Sequence, residues 1–240
     1  ALVPCRLGST GIPEKNFRPL VGYGLVGWIA AAAAGAKLLE RIIVVTDALD
    51  RADACIRSAI PAGRFDLVEE PPHLAQGQVP DLPVAQYVVN TVGLKDEDLL
   101  VWLRPTAPFV RAAEIDEVVG LLQSNPALDS IRSVKPSRHH PRKSYIEGFP
   151  VGPLPSLLPY TGWERHAANS PRQGLEPVWY SAGFVDAVRV WLIRGDSMEG
   201  RVIGRWIAPI TRSVGLNSEE EWRIAEKLVQ SLGWRPGRVE

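Results

Sequence analysis

The sequence predicts an α/β fold, with a mainly parallel (mixed) Rossmann-like sheet flanked by helices. Short apolar runs alternate with helical stretches through the first half of the chain, and the runs are almost continuously apolar. Both features are typical of a parallel sheet that is covered on its two faces. We predict strands at 1–5, 41–46, 65–68, 98–103 and 129–134, and helices near 25–38, 49–60, 84–92 and 113–123. Ligands of such sheets gather at the carboxyl ends of the strands, so the loops after Val3, Thr46 and Leu103 are expected to be functional.

The pattern changes after about residue 136. Residues 136–178 hold many of the prolines and several aromatic residues, and their periodicity is poor. We therefore predict a single domain, 1–240, from which residues 138–178 protrude as an arm. Strand-like runs return at 184–191 and 201–208, and a closing amphipathic helix is predicted at 219–232. Ser218 followed by Glu221 forms a capping box for that helix.

The bulk composition argues against several classes of partner. Lys and Arg together number 27, as do Asp and Glu, so the formal net charge is zero. The sequence lacks the excess of basic residues that would attract nucleic acid or an anionic membrane. Its apolar runs are also shorter than the roughly eighteen residues that a membrane span requires. Cys5 and Cys55 lack the spacing of metal ligands. The apolar run at the start of the sequence is too short, and is followed too soon by polar residues, to be a signal peptide. We therefore expect a cytoplasmic protein.

The loop at 3–16, after the first strand, has the composition of a phosphate-binding loop. Its small residues let backbone N–H groups approach a polyphosphate closely, and they are Gly8, Ser9, Thr10 and Gly11. Arg6 and Lys15 flank them and would neutralise phosphate charge. The glycine spacing is that of neither a Walker A loop nor a dinucleotide fingerprint. The alternative is a glycine-rich turn with two solvated basic residues.

This loop resembles the signature of the CMP-sialic acid synthetase (acylneuraminate cytidylyltransferase) family. In that family a strand runs into Pro-x-Arg-x-Gly-Ser-x-Gly-(Ile/Val)-Pro-x-Lys-Asn. Further segments that resemble family motifs follow in the same order along the chain, at 44–47, 103–108, 129–134, 140–143, 169–173 and 183–189. The resemblance therefore covers nearly the whole chain, and such a collinear set is far more specific than any single motif.

The resemblance implies a nucleotidyltransferase that transfers CMP from CTP to a hydroxyl of an acid sugar, with release of pyrophosphate. The acceptor it implies is a sialic-acid-like nonulosonate. It also implies Mg²⁺ that accompanies the triphosphate, and a homodimer in which the arm at 138–178 covers the partner's substrate.

Carried over by position, the resemblance implies a role for each matched residue. The expected catalytic residues are Arg6 and Lys15. The expected nucleotide-binding residues are Arg6, Gly8, Ser9, Thr10, Gly11, Lys15, Asn16, Pro105 and Thr106. The expected acceptor-binding residues are Arg104, Lys143, Arg172 and Gln173, because the sugar's carboxylate requires a cation.

The resemblance to the family does not extend to the residues that bind the metal. The family supplies an Asp-x-Asp pair before its last helix, and this chain has Gly215 and Asn217 there. The remaining candidate metal ligands are Asp186 and Asn217, and Asp47 is a further possible carboxylate. Thr10 stands where the family has a lysine, and Glu70 stands where it has an arginine that helps to hold the nucleotide.

Three functions are consistent with these departures. The first is an active cytidylyltransferase with a rearranged metal site. The second is an enzyme of the same fold that acts on a phosphonate or another acid. The third is a catalytically impaired protein that serves as a nucleotide-binding or structural subunit, since a fold does not guarantee a function.

Overall fold

The computed structural model describes residues 1–9, 11–151 and 154–239, and it divides into two compact units. The first unit contains residues 1–134 and 182–240, and the second contains residues 135–181. The predicted arm at 138–178 falls within the second unit. Among the described residues, no helix combines the length and the apolar content that a membrane crossing requires.

Strands and helices alternate in the first unit. Its strands are β1 (Leu2–Pro4), β2 (Pro19–Leu20), β3 (Tyr23–Gly24), β4 (Ile43–Thr46), β5 (Asp66–Glu69), β6 (Leu99–Trp102), β7 (Ser130–Pro136, whose last two residues belong to the second unit), β11 (Asp186–Arg189) and β12 (Ile203–Ile207). Its helices are α1 (Leu25–Gly35), α2 (Leu49–Ala59), α3 (Asp81–Thr91), α4 (Ala112–Ser124), α5 (Val190–Arg194) and α6 (Glu219–Leu232).

The main sheet is mixed, with a parallel centre. Its strand order in the first unit is β7-β11-β6-β1-β4-β5, and β12 pairs with β7. The neighbours β6, β1, β4 and β5 are parallel, whereas β11 is antiparallel to both β6 and β7. The predicted α/β fold with a mainly parallel sheet and flanking helices is confirmed.

Side chains from alternate strand positions fill two cores, one on each face of the sheet. Val3 and Val44 point into the core that holds Ala30 and Ile115 of α1 and α4. Their neighbours Leu2 and Ile43 point into the core that holds Val88 of α3 and Ile193 of α5. Burial on both faces explains why these strands have continuous apolar sequences.

A third core fixes the loop after β1 against the C-terminal helix. It contains the fully buried Ile12 of that loop together with Leu216 and Trp222. The Ser218 hydroxyl accepts a hydrogen bond from the Glu221 N–H (3.2 Å), and the Glu221 carboxylate accepts one from the Ser218 N–H (2.9 Å). The predicted capping box and the predicted bounds of this helix are both confirmed.

The predicted strand at 184–191 is too long at both ends, because β11 covers Asp186–Arg189. The strand β11 ends at Arg189, and the short helix α5 follows at once. Val190, Leu192 and Ile193 of α5 are buried. An apolar run of this length fits a buried strand and a buried helix equally well, so the sequence pattern could not separate them.

The second unit contains strands that the sequence pattern did not reveal. Strands β8 (Tyr145–Val151) and β9 (Leu154–Pro159) form an antiparallel hairpin, and β10 (Trp179–Ser181) lies near the end of the unit. The register of the hairpin shifts between Glu147 and Pro150. Prolines and this shift break the alternation of polar and apolar residues, which is why the segment has no regular period in the sequence.

Candidate functional site

A cavity of about 200 Å³ lies at the carboxyl ends of the parallel strands. Four residues that directly follow these strands, or lie two positions beyond them, are Arg6, Asp47, Glu70 and Arg104. The residues of the β1 loop that line the cavity are Arg6, Gly8, Ser9, Lys15 and Asn16. The remaining lining residues are Pro4, Glu70, Leu74, Val79, Val84, Arg104, Pro105 and Thr106. A larger cavity, of about 660 Å³, lies at the amino ends of the strands, where this class of sheet does not usually bind ligands.

The two cations of the β1 loop are held by neutral acceptors. The Arg6 guanidinium donates to the carbonyl oxygens of Gly8 (3.0 Å), Gln76 (2.8 Å) and Gly77 (3.4 Å). The Lys15 Nζ donates to the side-chain oxygen of Asn217 at 3.2 Å. Within the part of the chain that the structure describes, neither cation forms an ion pair. Their charges are therefore free to meet an anionic ligand.

The half-buried position of Lys15 affects its protonation. Burial lowers the pKa of its amine, the carboxylate of Glu221 opposes that shift, and the nearby Arg6 adds to it. A negative ligand in the cavity would stabilise both cations together. The electrostatics of the loop thus favour the binding of an anion.

The β1 loop is held in shape by its own contacts. The buried Asn16 donates from its side-chain amide to the Arg6 carbonyl (2.9 Å), and its own carbonyl accepts from the N–H of Val26 (3.0 Å). The Asp47 carboxylate accepts from the Leu7 N–H at 2.6 Å. A Cβ atom on Gly11 would lie 2.6 Å from the carbonyl oxygen of Asn217, so only glycine permits this approach. The loop is therefore shaped before any ligand arrives. Thr10, a predicted nucleotide-binding residue, lies outside the described residues.

Glu70 is the most unusual group in the cavity. It follows β5 directly, only 4% of its surface is exposed, and its Oε2 atom has no hydrogen-bond partner among the described residues. Burial and the nearby Asp47 raise the pKa of the Glu70 carboxyl to about 7, although Arg6 opposes the shift. The carboxyl group can therefore carry a proton close to neutral pH.

The raised pKa of Glu70 predicts how stability depends on pH. The folded-state pKa, about 7, lies above the ordinary value of 4.5, so the folded protein binds this proton more tightly than the unfolded chain. Between pH 5 and 7 the free energy of unfolding should decrease by about 1 kcal/mol per pH unit from this group alone. Glu70→Gln should remove that decrease, while replacement of the exposed neighbour in Glu69→Gln should not. Denaturant titrations at pH 5, 6, 7 and 8 measure both, and equal slopes in all three proteins would contradict the assignment.

The predicted metal ligands are engaged in other contacts. The Asp186 carboxylate accepts hydrogen bonds from the N–H and the hydroxyl of Ser133, both at 2.8 Å, and from Arg132 at 2.9 Å. The side-chain oxygen of Asn217 accepts from Lys15. No group of three His, Cys, Asp or Glu side chains in 1–9, 11–151 and 154–239 is arranged to hold a metal. Mg²⁺ is usually bound through one or two carboxylates together with substrate phosphates, and neither predicted ligand offers a carboxylate that is free of other contacts. The contacts of Asp186 favour a structural role.

The predicted acceptor-binding residues lie in both units, and each has contacts of its own. Arg104 lines the cavity and forms an ion pair with Asp81 at 2.5 Å. In the second unit, the Lys143 Nζ donates to the carbonyl oxygens of Ala168 and Ser170. The remaining two residues of the second unit are Arg172, which donates to the Ser137 carbonyl, and Gln173, which is exposed. Acceptor binding by these four residues stays a prediction.

Sequence reasoning missed part of the cavity. The carbonyl oxygens of Gln76 and Gly77, which hold Arg6, belong to a loop for which the sequence predicted no role. Glu70 was noted only as an acid in place of a base. Its position directly after a buried strand was the available signal, since residues there face the ligand edge of the sheet.

Comparisons with known proteins identify the family of this chain. The family model of the cytidylyltransferases matches residues 1–142. The 8-amino-3,8-dideoxy-manno-octulosonate cytidylyltransferase of Shewanella sp. (strain ANA-3) is 31% identical over 127 residues, which are 52% of this chain and 47% of that protein. The protein of the same description from Shewanella baltica (strain OS155) is 30% identical over the same lengths. The chain spans about half the length of the curated relatives it matches.

Solved structures of low sequence identity share the fold. A CMP:2-keto-3-deoxy-manno-octonic acid synthetase, solved as a complex with CTP, superimposes with a TM-score of 0.65 at 14% identity, over 96% of this chain and 98% of that one. A 4-diphosphocytidyl-2C-methyl-D-erythritol synthase superimposes with a TM-score of 0.61 at 11% identity, over 95% and 96%. Since the family model covers more than half of its residues, this chain belongs to the cytidylyltransferase family.

Proposed function

We propose that this protein transfers CMP from CTP to a hydroxyl group of a 3-deoxy-octulosonic acid and releases pyrophosphate. The observation that carries the proposal is the β1 loop, which is shaped in advance and directs Arg6 and Lys15 into a cavity at the ligand edge of the sheet. Both cations have neutral hydrogen-bond acceptors, so each has charge available for a triphosphate. Family membership supports CTP as its source.

The comparisons favour an eight-carbon acceptor over the nine-carbon acid that the motifs first implied. The relatives from Shewanella are described as cytidylyltransferases of an amino-dideoxy-octulosonate. Both kinds of acid carry a carboxylate, which needs a cation for binding. We retain Arg104, Lys143, Arg172 and Gln173 as the proposed acceptor residues.

In the proposed reaction, the acceptor's hydroxyl oxygen attacks the α-phosphorus of CTP. A bond from that oxygen to the α-phosphorus forms, the bond from the α-phosphorus to the bridging oxygen breaks, and the hydroxyl proton is released. Negative charge accumulates on the departing pyrophosphate. Arg6 and Lys15 would hold the β- and γ-phosphates and stabilise that charge, and the backbone N–H groups around Gly8 and Ser9 would add to this effect.

We propose that the protein contributes little to Mg²⁺ binding and that any Mg²⁺ arrives with the triphosphate. The family's carboxylate pair is replaced by Gly215 and Asn217, and the carboxylate of Asp186 is already bound by Arg132 and Ser133. Calorimetric titration of the nucleotide-free protein with MgCl₂ should therefore show no saturable binding. The double variant Gly215→Asp/Asn217→Asp should gain it, because two carboxylates would then face the loop. Saturable Mg²⁺ binding by the nucleotide-free wild-type protein would contradict this prediction.

A second function, binding without catalysis, rests on one contact. Where the family has an aspartate, the amide of Asn217 accepts a hydrogen bond from Lys15, which fixes a phosphate-binding cation without supplying a carboxylate. A subunit that binds nucleotide but does not transfer CMP would have such a site. Saturable CTP binding without pyrophosphate release would favour this function.

The acceptor is tested by rates of pyrophosphate release. The protein is incubated with MgCl₂, CTP and equal concentrations of 3-deoxy-manno-octulosonic acid, its 8-amino analogue or a nine-carbon sialic acid. We expect kcat/KM to be highest with an eight-carbon acid. A preference for the nine-carbon acid would restore the acceptor that the motifs first implied.

Assembly and location are part of the same proposal. We propose a homodimer in which the second unit takes part, because its hairpin exposes large apolar side chains such as Phe149 (68% exposed) and Leu154 (69% exposed), and exposed apolar patches often mark an interface. The thiols of Cys5 and Cys55 are both free, which agrees with a reducing compartment such as the cytoplasm.

A further inference from the structure

The carboxyl group of Glu70 is buried in the cavity with an unused hydrogen-bonding atom. We propose that this carboxyl, in its protonated form, pairs with the hydrogen-bonding edge of the cytosine base and makes nucleotide recognition depend on pH. The inference rests on the proposed function, because it takes CTP as the ligand. Its basis is the 4% exposure of Glu70 and the lack of any partner for its Oε2 atom among the described residues.

The cavity has two chemically different parts. The β1 loop supplies Arg6, Gly8, Ser9 and Lys15, which suit phosphates. Away from that loop the lining contains the apolar side chains of Leu74, Val79 and Val84, and Arg104, Pro105, Thr106 and Glu70 complete it. A planar base fits apolar walls that also contain a few polar groups, whereas a polyphosphate does not. Glu70 is the carboxyl group of that lining, so the base would lie against it.

A protonated carboxyl matches the edge of cytosine at two points. Its O–H group donates to the ring nitrogen N3, and its carbonyl oxygen accepts from the amino group at C4. An ionised carboxylate only accepts, so it keeps the contact with the amino group and places a negative oxygen against the lone pair of N3. Ionisation therefore replaces an attraction by a repulsion, and affinity should fall when Glu70 loses its proton.

The charges around Glu70 place its titration in the physiological range. Asp47 and burial favour the protonated form, and Arg6 favours the ionised form, which leaves the pKa at about 7. The buried thiol of Cys5 is close enough to interact electrostatically with Glu70, and burial raises its pKa well above the ordinary value, so it stays neutral. A base that accepts the proton of Glu70 would raise this pKa further. Affinity should then be constant below pH 6 and fall by up to tenfold per pH unit above pH 7.

The test compares CTP with inorganic tripolyphosphate, which lacks the base. Both ligands are titrated calorimetrically against the wild type, Glu70→Gln, Glu70→Leu and the exposed control Glu69→Gln, at pH 6.0, 7.0, 8.0 and 8.5. The ratio of the two affinities cancels the ionisation of the phosphates and the general repulsion by a charged Glu70. Glutamine keeps one donor and one acceptor at every pH, so it imitates the protonated acid.

We expect the affinity ratio of the wild type, and of Glu69→Gln, to fall about tenfold between pH 7.0 and 8.5. Glu70→Gln should keep the ratio of the wild type at pH 6 and hold it constant with pH. Glu70→Leu should lower the ratio about tenfold at pH 6. Should Glu70→Leu fail to fold, the pH profile of Glu70→Gln decides alone.

Two results would overturn the inference, and they are distinguishable. If tripolyphosphate binds and the ratio is the same in the wild type and in Glu70→Gln at every pH, the base does not pair with Glu70 while the phosphate site stands. If neither tripolyphosphate nor CTP binds to the wild type, the proposed function fails together with the inference.

Discussion

Arg212→Met should lower the free energy of unfolding by about 3–5 kcal/mol, the usual cost of removing one partner from a buried ion pair. Arg212 and Glu114 are each only 8% exposed. The guanidinium donates to both oxygens of the Glu114 carboxylate, with one of these contacts at 2.9 Å, and to the Phe109 carbonyl at 3.0 Å. Its loss would leave a buried negative charge without a counterion. Denaturant unfolding at pH 7 measures the change.

Two further variants isolate the cause. Arg212→Met/Glu114→Gln should regain a large part of the lost stability, because the glutamine carries no charge and can still accept the hydrogen bond from the Arg111 N–H. Arg223→Met removes an exposed arginine from α6 and should change stability by no more than about 0.5 kcal/mol. A loss below 1 kcal/mol in Arg212→Met would show that the pair is not a main support of the segment that leads to α6.

Lys15→Ala should weaken the binding of CTP and of tripolyphosphate by about 1.5–3 kcal/mol, the range of a hydrogen bond to a charged group. Lys15 lines the cavity, and among the described residues its amine donates a hydrogen bond to the neutral amide oxygen of Asn217. Its charge is thus available to phosphate. Catalytic efficiency should fall at least as much, because the charge on the leaving pyrophosphate is greatest in the transition state. Calorimetry and initial rates measure the two effects.

The matched control is Lys95→Ala, which removes the same charge from an exposed residue before β6, at the opposite ends of the strands. It should leave nucleotide affinity unchanged. Lys15→Arg should retain part of the affinity, since a cation remains on the loop. Unchanged affinity of Lys15→Ala for every nucleotide would place the phosphates elsewhere.

Much of the fold could be predicted because its signals are local. The continuous apolar runs that became β1, β4 and β6 reflect burial on both faces of a parallel sheet, and the Ser218 capping box fixed the start of α6. The small residues between Arg6 and Lys15 predict a phosphate loop, because close approach to backbone N–H groups excludes larger side chains. The structure places Gly8 and Ser9 of that loop in the cavity, and phosphate binding there stays a prediction.

Other features of the site and the fold depend on contacts between segments that are distant in the sequence, and no local sequence pattern predicts them. The partnership of Lys15 with Asn217 spans 202 positions in the sequence. The raised pKa of Glu70 arises from burial and from Asp47, which follows a different strand. The sequence pattern also could not distinguish α5 from a continued strand. These features can be recognised only in the folded structure, where the neighbouring strands and loops are in contact.

The most direct test of the proposed function is the chemical identity of the product. Wild-type protein is incubated with CTP, MgCl₂ and 3-deoxy-manno-octulosonic acid, and the mixture is analysed by ³¹P nuclear magnetic resonance and mass spectrometry. We expect a CMP ester of the sugar, formed together with an equimolar amount of pyrophosphate. Intact CTP, or free CMP without any sugar ester for every acid tested, would contradict the proposed transfer of CMP.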